Sequence, residues 1–133
     1  MGKKNLSYFE VEISKNFPSG ISTHVDWEPS TNIIEVGNQV IIEVELPGVE
    51  KEDVSIVLQG NRELVIRGIK HQPRLNEENV TYYLFNREFG KFYKKIVIDF
   101  PLDPDSIKSS MEGGVLTIDI AKRITKKVSV EIK

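Results

Sequence analysis

The only two imidazoles of the chain, His24 and His71, are the first place to look for metal or proton-transfer chemistry. One precedes the first core strand and the other lies in a polar stretch, so a metal site built on both needs a coincidence of folding. Both read as exposed side chains. Ser106, Ser109 and Ser110 have no G-x-S-x-G or S-x-x-K spacing around them and read as turn and strand residues. Asp103 and Asp105 would chelate a cation, but Pro104 between them marks the start of a turn. Gly90-Lys91 is followed by Phe92 instead of the Ser or Thr that binds magnesium, and no glycine stands where a phosphate loop requires its first one. No set of groups in the chain converges on a reaction. The sequence reads as that of a protein without catalytic residues, metal or cofactor.

Composition narrows the class further. A chain of 133 residues that is 39% hydrophobic suits one domain with modest extensions. It has no apolar run of the length that spans a membrane, and Glu10 and Glu12 interrupt what would have to be a signal core. The absence of cysteine excludes disulfides and thiolate chemistry and fits a cytoplasmic protein. A net charge of −2 gives no overall attraction to nucleic acid or anionic lipid. Lys122, Arg123, Lys126 and Lys127 concentrate positive charge in AKRITKK, but without interleaved aromatics that stretch reads as a solvated linker. Neither nucleic acid nor membrane is expected as a partner.

The elements between Asp26 and Ala121 are β-type throughout. NIIEV and QVIIEVEL flank Gly37-Asn38, and glycine at the first central position suits a type II′ hairpin turn. Val40, Ile42, Val44 and Leu46 form one face of a strand while Glu43 and Glu45 mark the other as wet. Leu46-Pro47-Gly48 ends it. VSIVL and ELVIRGI flank Gln59-Gly60-Asn61-Arg62 as a second hairpin. The polar excursion HQPRLNEENV leads to TYYLFN, whose aromatics favour a strand, and FYKKIVIDF runs from 92 to 100 before Pro101. SIKSSME and VLTIDIA flank Gly113-Gly114. Seven or eight short strands at this spacing indicate an all-β, antiparallel β-sandwich.

Two segments lie outside that pattern. Ahead of Pro18-Ser19-Gly20, Leu6, Tyr8, Phe9, Val11, Ile13 and Phe17 form an apolar arm whose spacing fits a helix and a strand equally. At the other end, KKVSVEIK alternates Val128, Val130 and Ile132 with polar residues, as a strand with one buried face does. It either closes its own sheet or pairs with another molecule.

Several stretches together resemble the small heat-shock proteins, the α-crystallin family. They are ELPGVEKEDVSIVLQGNRELVIRGIK, REFGKFYKKIVIDFP, SSMEGGVLTIDIAK and a tail with V-x-I, and the likeness covers roughly residues 26 to 132. Ser109 and Gly113 depart from the family's A-x-x-x-N-G-V-L signature, and no arginine stands in the strand before Pro101, where counting gives Lys94 or Ile96. The resemblance implies an immunoglobulin-like α-crystallin domain over 25–121, an arm over 1–24 and a C-terminal extension over 122–133. It implies that Thr81, Tyr82, Tyr83, Leu84 and Phe85 form a strand that swaps onto a partner's sheet to make a dimer. The tail residues Val128, Val130 and Ile132 then dock in a neighbouring dimer's groove, lined by Val54, Ile56, Leu58, Ile107 and Met111. Implied partners are other copies of the chain and partly unfolded client proteins, held without ATP, with the arm as a client-binding segment. A monomeric co-chaperone-type module on the same sandwich, lacking swap strand and tail, is the competing expectation.

Overall fold

The computed structural model describes residues 9–12, 25–74, 76–124 and 128–133. Eight strands appear there: β1 Phe9–Glu12, β2 Thr31–Val36, β3 Gln39–Glu45, β4 Val54–Gln59, β5 Glu63–Lys70, β6 Gly90–Ile98, β7 Lys108–Glu112 and β8 Val115–Ala121. They form two antiparallel four-stranded sheets, ordered β1-β6-β5-β4 and β2-β3-β8-β7. The sandwich read from the sequence is the fold of the chain.

Alternation builds the core. Val40, Ile42, Val44 and Leu46 face Leu116, Ile118 and Ile120 across the β3–β8 ladder on one inner surface, and Leu64, Ile66, Phe92, Ile96 and Ile98 supply the other. Each such aliphatic side chain contributes about 1.5–3 kcal/mol by leaving water. At the β2–β3 turn only Gly37 of the central pair has positive φ, +57°, as type II′ geometry demands. Gly113 and Gly114 both have positive φ, which makes the β7–β8 turn type I′. A Cβ on Gly114 would come within 3.0 Å of Pro47 Cα, and Leu46 donates its N–H to the Gly114 carbonyl at 2.7 Å. The hairpin tip is thereby pinned to the corner that follows β3.

At three places the structure adds to these expectations. The arm contributes a strand, since Phe9–Glu12 pairs along β6 from Phe9–Ile98 to Glu12–Lys95, so the sheet reaches into the segment read as lying outside the domain. The strand expected over 92–100 instead spans Gly90–Ile98. Past the last β5 partner of Val97, Ile98 donates to Arg62 O and Leu102 to Asn61 O, so the chain turns to follow the β4–β5 loop. Residues 81–86 form no strand within the chain. Their aromatics pack locally instead, with Tyr82 and Phe85 edge to face at 5.0 Å and Phe85 6.0 Å from Phe89. A sheet edge must be offered to a strand before its backbone groups are satisfied, and among the described residues neither sheet takes up this segment.

Candidate functional site

Strands β4 and β7 are the terminal strands of their sheets and flank the same side of the sandwich. Period two along β4 turns Val54, Ile56 and Leu58 inward as half-buried side chains. Ile107 just ahead of β7 and Met111 within it approach from the other sheet, and all five pack against the buried core. The structure sets all five residues expected to line a groove against the core and brings Val54, Ile56 and Met111 together around one cleft. Between them opens a cleft of about 380 Å³, bordered by Lys51, Val54, Ile56, Ser109, Ser110 and Met111. Leu58 and Ile107 pack against the core without bordering that cleft.

Local geometry fixes the walls. A single 3-10 turn, Lys51–Asp53, delivers the chain to β4, with Asp53 N–H donating to Glu50 O at 2.9 Å. It passes so close to β5 that a Cβ on Gly68 would lie 2.1 Å from Asp53 O and 2.7 Å from Phe92 Cζ. On the opposite wall the Asp103 carboxylate accepts from Asp105 N–H at 3.0 Å and caps the 3-10 turn Pro104–Ser106, the role its place beside proline implied. His71 is exposed, and its Nε2 lies 3.3 Å from Asp53 Oδ2 at the rim.

The segments expected to occupy partners lie open. Val128, Val130 and Ile132 are 78%, 80% and 96% exposed and join neither sheet. The tail does not close its own sandwich. In the segment 81–86, Tyr83 is 98% and Leu84 76% exposed, and Thr81, Tyr82 and Phe85 are exposed as well. β2, the end strand of its sheet, pairs among the described residues with β3 alone. Of the arm, Phe9 and Val11 lie in β1, while Leu6, Tyr8, Ile13 and Phe17 fall outside the described residues, as do His24, Lys126 and Lys127.

Sequence reasoning left Lys94 without a role. It faces inward between Phe92 and Ile96, 4% exposed, and its ammonium donates to Pro29 O and Thr31 Oγ1 at 2.7 Å each, with Glu28 at 3.5 Å. Burial pushes its pKa below the ordinary lysine value, and the Glu28 carboxylate opposes that shift. The signal was available: period two from Phe92 through Ile96 and Ile98 places residue 94 on the inner face. Lys122 is a second correction. Instead of being a solvated linker charge, it pairs with Glu35 and lies 4.7 Å from the centre of the Phe100 ring.

A model of the Hsp20/alpha crystallin family matches residues 32–133. The chain belongs to that family. It is similar to the small heat shock protein C2 of Rickettsia felis, 33% identical over 118 residues, covering 88% of this chain and 75% of the relative. A likeness to the 18.1 kDa class I heat shock protein of Pisum sativum runs at 31% over 114 residues, or 86% of this chain and 68% of the other. Among solved structures, heat shock protein 16.0 from Schizosaccharomyces pombe superposes with a TM-score of 0.68 at 31% identity, over 80% of this chain and 77% of that one. A small heat-shock protein from Xylella fastidiosa gives 0.70 at 26% identity, over 82% and 99%. Membership of the Hsp20 family supports a chaperone role.

Proposed function

We propose that this Hsp20-family chain is an ATP-independent cytoplasmic holdase that assembles from dimers and retains partly unfolded proteins. One observation carries the reading: a cleft in which Val54, Ile56, Met111 and Leu116 stand beside polar Lys51, Ser109 and Ser110 opens between β4 and β7, while an apolar tail lies exposed on the same chain. In this reading an arm over 1–24 and an extension over 122–133 flank the domain. The strand 81–86 is added to a partner's sheet to form the dimer, and Val128, Val130 and Ile132 occupy the cleft of a neighbouring dimer.

Burying three such side chains yields about 5–9 kcal/mol gross. Ordering the tail removes about 1–2 kcal/mol for each residue fixed, and association entropy removes more. A single tail therefore binds weakly, whereas many tails hold an assembly whose individual contacts still open. Opening uncovers apolar surface on cleft, tail and arm, and such surface captures the exposed apolar segments of unfolding clients.

The test is light scattering of a heat-labile client with equimolar protein and no nucleotide. Suppressed precipitation is expected; suppression only with ATP, or none, overturns the holdase reading. Size-exclusion chromatography with light scattering is expected to show assemblies above the dimer. A monomer would favour the co-chaperone-type module.

A further inference from the structure

Among the described residues two lysines are buried, Lys94 and Lys70, and they are served differently. Lys94 donates to two oxygens at 2.7 Å and has Glu28 at 3.5 Å. Lys70, 8% exposed at the end of β5, has no carboxylate or carbonyl accepting from it among the described residues. Its ammonium lies 5.7 Å from the centre of the Trp27 ring and 5.5 Å from that of Phe89. Ring faces attract a cation more weakly than its lost hydration opposes burial. A second cation meets Phe89, since the Arg87 guanidinium lies 5.0 Å from the ring centre. Burial lowers the Lys70 pKa, the Arg87 charge lowers it further and the Glu88 carboxylate opposes both.

These groups border one cleft of about 430 Å³, a size that small-molecule sites have, with Asp26 and His71 also at its walls. Asp26 accepts the Lys91 N–H at 2.7 Å and His71 faces Asp53 at 3.3 Å, so both are already engaged. We propose that this cleft takes a small molecule by a phosphate or carboxylate group, with Lys70 as the buried anchor and Arg87 as the second cation. An oxyanion supplies the oxygen acceptors that Lys70 lacks and sets negative charge beside two cations that otherwise repel. The planar fork of Arg87 matches two oxygens of such a group, while Lys70 acts as a point charge. A neutral ligand leaves the repulsion in place and a cation adds to it, so charge selects the class. Lys70, Arg87 and Phe89 lie outside both the segment 81–86 and the tail, so the cradle is independent of the assembly proposed above.

Isothermal titration calorimetry of the full chain is the test, with inorganic phosphate in one arm and succinate in the other, sodium chloride holding the ionic strength constant. Saturable binding is expected in at least one arm, and the tighter arm names the group. Lys70→Met keeps an unbranched stem beside the two rings and removes the ammonium, while Arg87→Gln and Glu88→Gln change exposed side chains. Lys70→Met and Arg87→Gln are each expected to weaken binding about tenfold or more, and Glu88→Gln to tighten it. Lys108→Gln, in β7 of the other sheet, is expected to leave it unchanged. Absence of saturation in both arms overturns the proposal. An equal loss in Lys108→Gln overturns it too, since the anion would then answer only to charge at large. Binding that survives Lys70→Met unweakened lies elsewhere and has the same consequence. Should circular dichroism show Lys70→Met unfolded, Arg87→Gln decides.

Discussion

Lys94 donates from inside the sandwich to the carbonyl of Pro29, 2.7 Å away, and so joins β6 of one sheet to the lead-in of β2 in the other. A buried ammonium costs several kcal/mol of lost hydration unless partners replace the water, and here Pro29, Thr31 and Glu28 do so. Lys94→Ala would leave those acceptors unserved, and a loss of about 1–3 kcal/mol is expected in urea unfolding.

The same lysine gives a pH dependence whose sign is fixed by its lowered pKa. The folded chain releases this proton at lower pH than the unfolded chain, so between the two values the unfolded state binds more protons and stability rises with pH. The window closes at the ordinary lysine value of about 10.4. The stability of wild type relative to Lys94→Met is therefore expected to climb as pH rises toward that limit. A difference in urea midpoint that stays flat over the alkaline range would contradict it.

Gly68→Ala places a methyl group where Asp53 O and Phe92 Cζ already stand. Backbone cannot yield cheaply, so a loss at or above the usual overpacking range of about 1–3 kcal/mol is expected. Thermal melting measures it, and an unchanged midpoint would show that the turn before β4 shifts freely.

Val130→Ala with Ile132→Ala removes about five carbon groups, worth about 4 kcal/mol if fully buried in a neighbour. Assemblies are expected to fall to dimers with the domain's melting temperature nearly unchanged, since both residues lie outside the sandwich. Loss of domain stability with size retained would make the tail part of its own fold.

Leu84→Glu tests the swapped strand. The residue is 76% exposed in the single chain, so the fold is expected to persist while dimers give way to monomers in sedimentation. Dimers that survive the charge would move the dimer contact elsewhere.

Deletion of residues 1–20 removes β1 from β6 but none of the core residues whose burial is described, the first of which is Trp27. A folded β-domain with a lower melting temperature and weaker client protection is expected. Complete loss of β circular dichroism would place the arm in the core.

What was legible in the sequence is what period two and turn chemistry encode. Val40 to Leu46 and Leu116 to Ile120 alternate cleanly because each strand has one dry face, and Gly37 and Gly113-Gly114 mark their turns because those φ values suit glycine. The candidate cleft was implied by the resemblance to the α-crystallin family, and the alternation in β4 is what sets Val54, Ile56 and Leu58 on one face. Lys94 was missed because a charged residue on an inner face contradicts the pattern unless its partners are known, and Pro29 and Thr31 are distant in sequence. Lys122 was misread for the same reason: Glu35 and Phe100 meet it only through the fold. At 81–86 the aromatic composition signals a strand, but composition does not say which edge the strand needs.

The open cleft and the free tail belong to one chain that does not join them. In the proposed reading, occupancy of the cleft is then governed by mass action among copies. Dilution empties clefts and frees tails, while abundance hides both. The fraction of apolar surface on offer to clients thus falls as the protein accumulates, so that its level in the cell itself tunes how much of each molecule is available for capture.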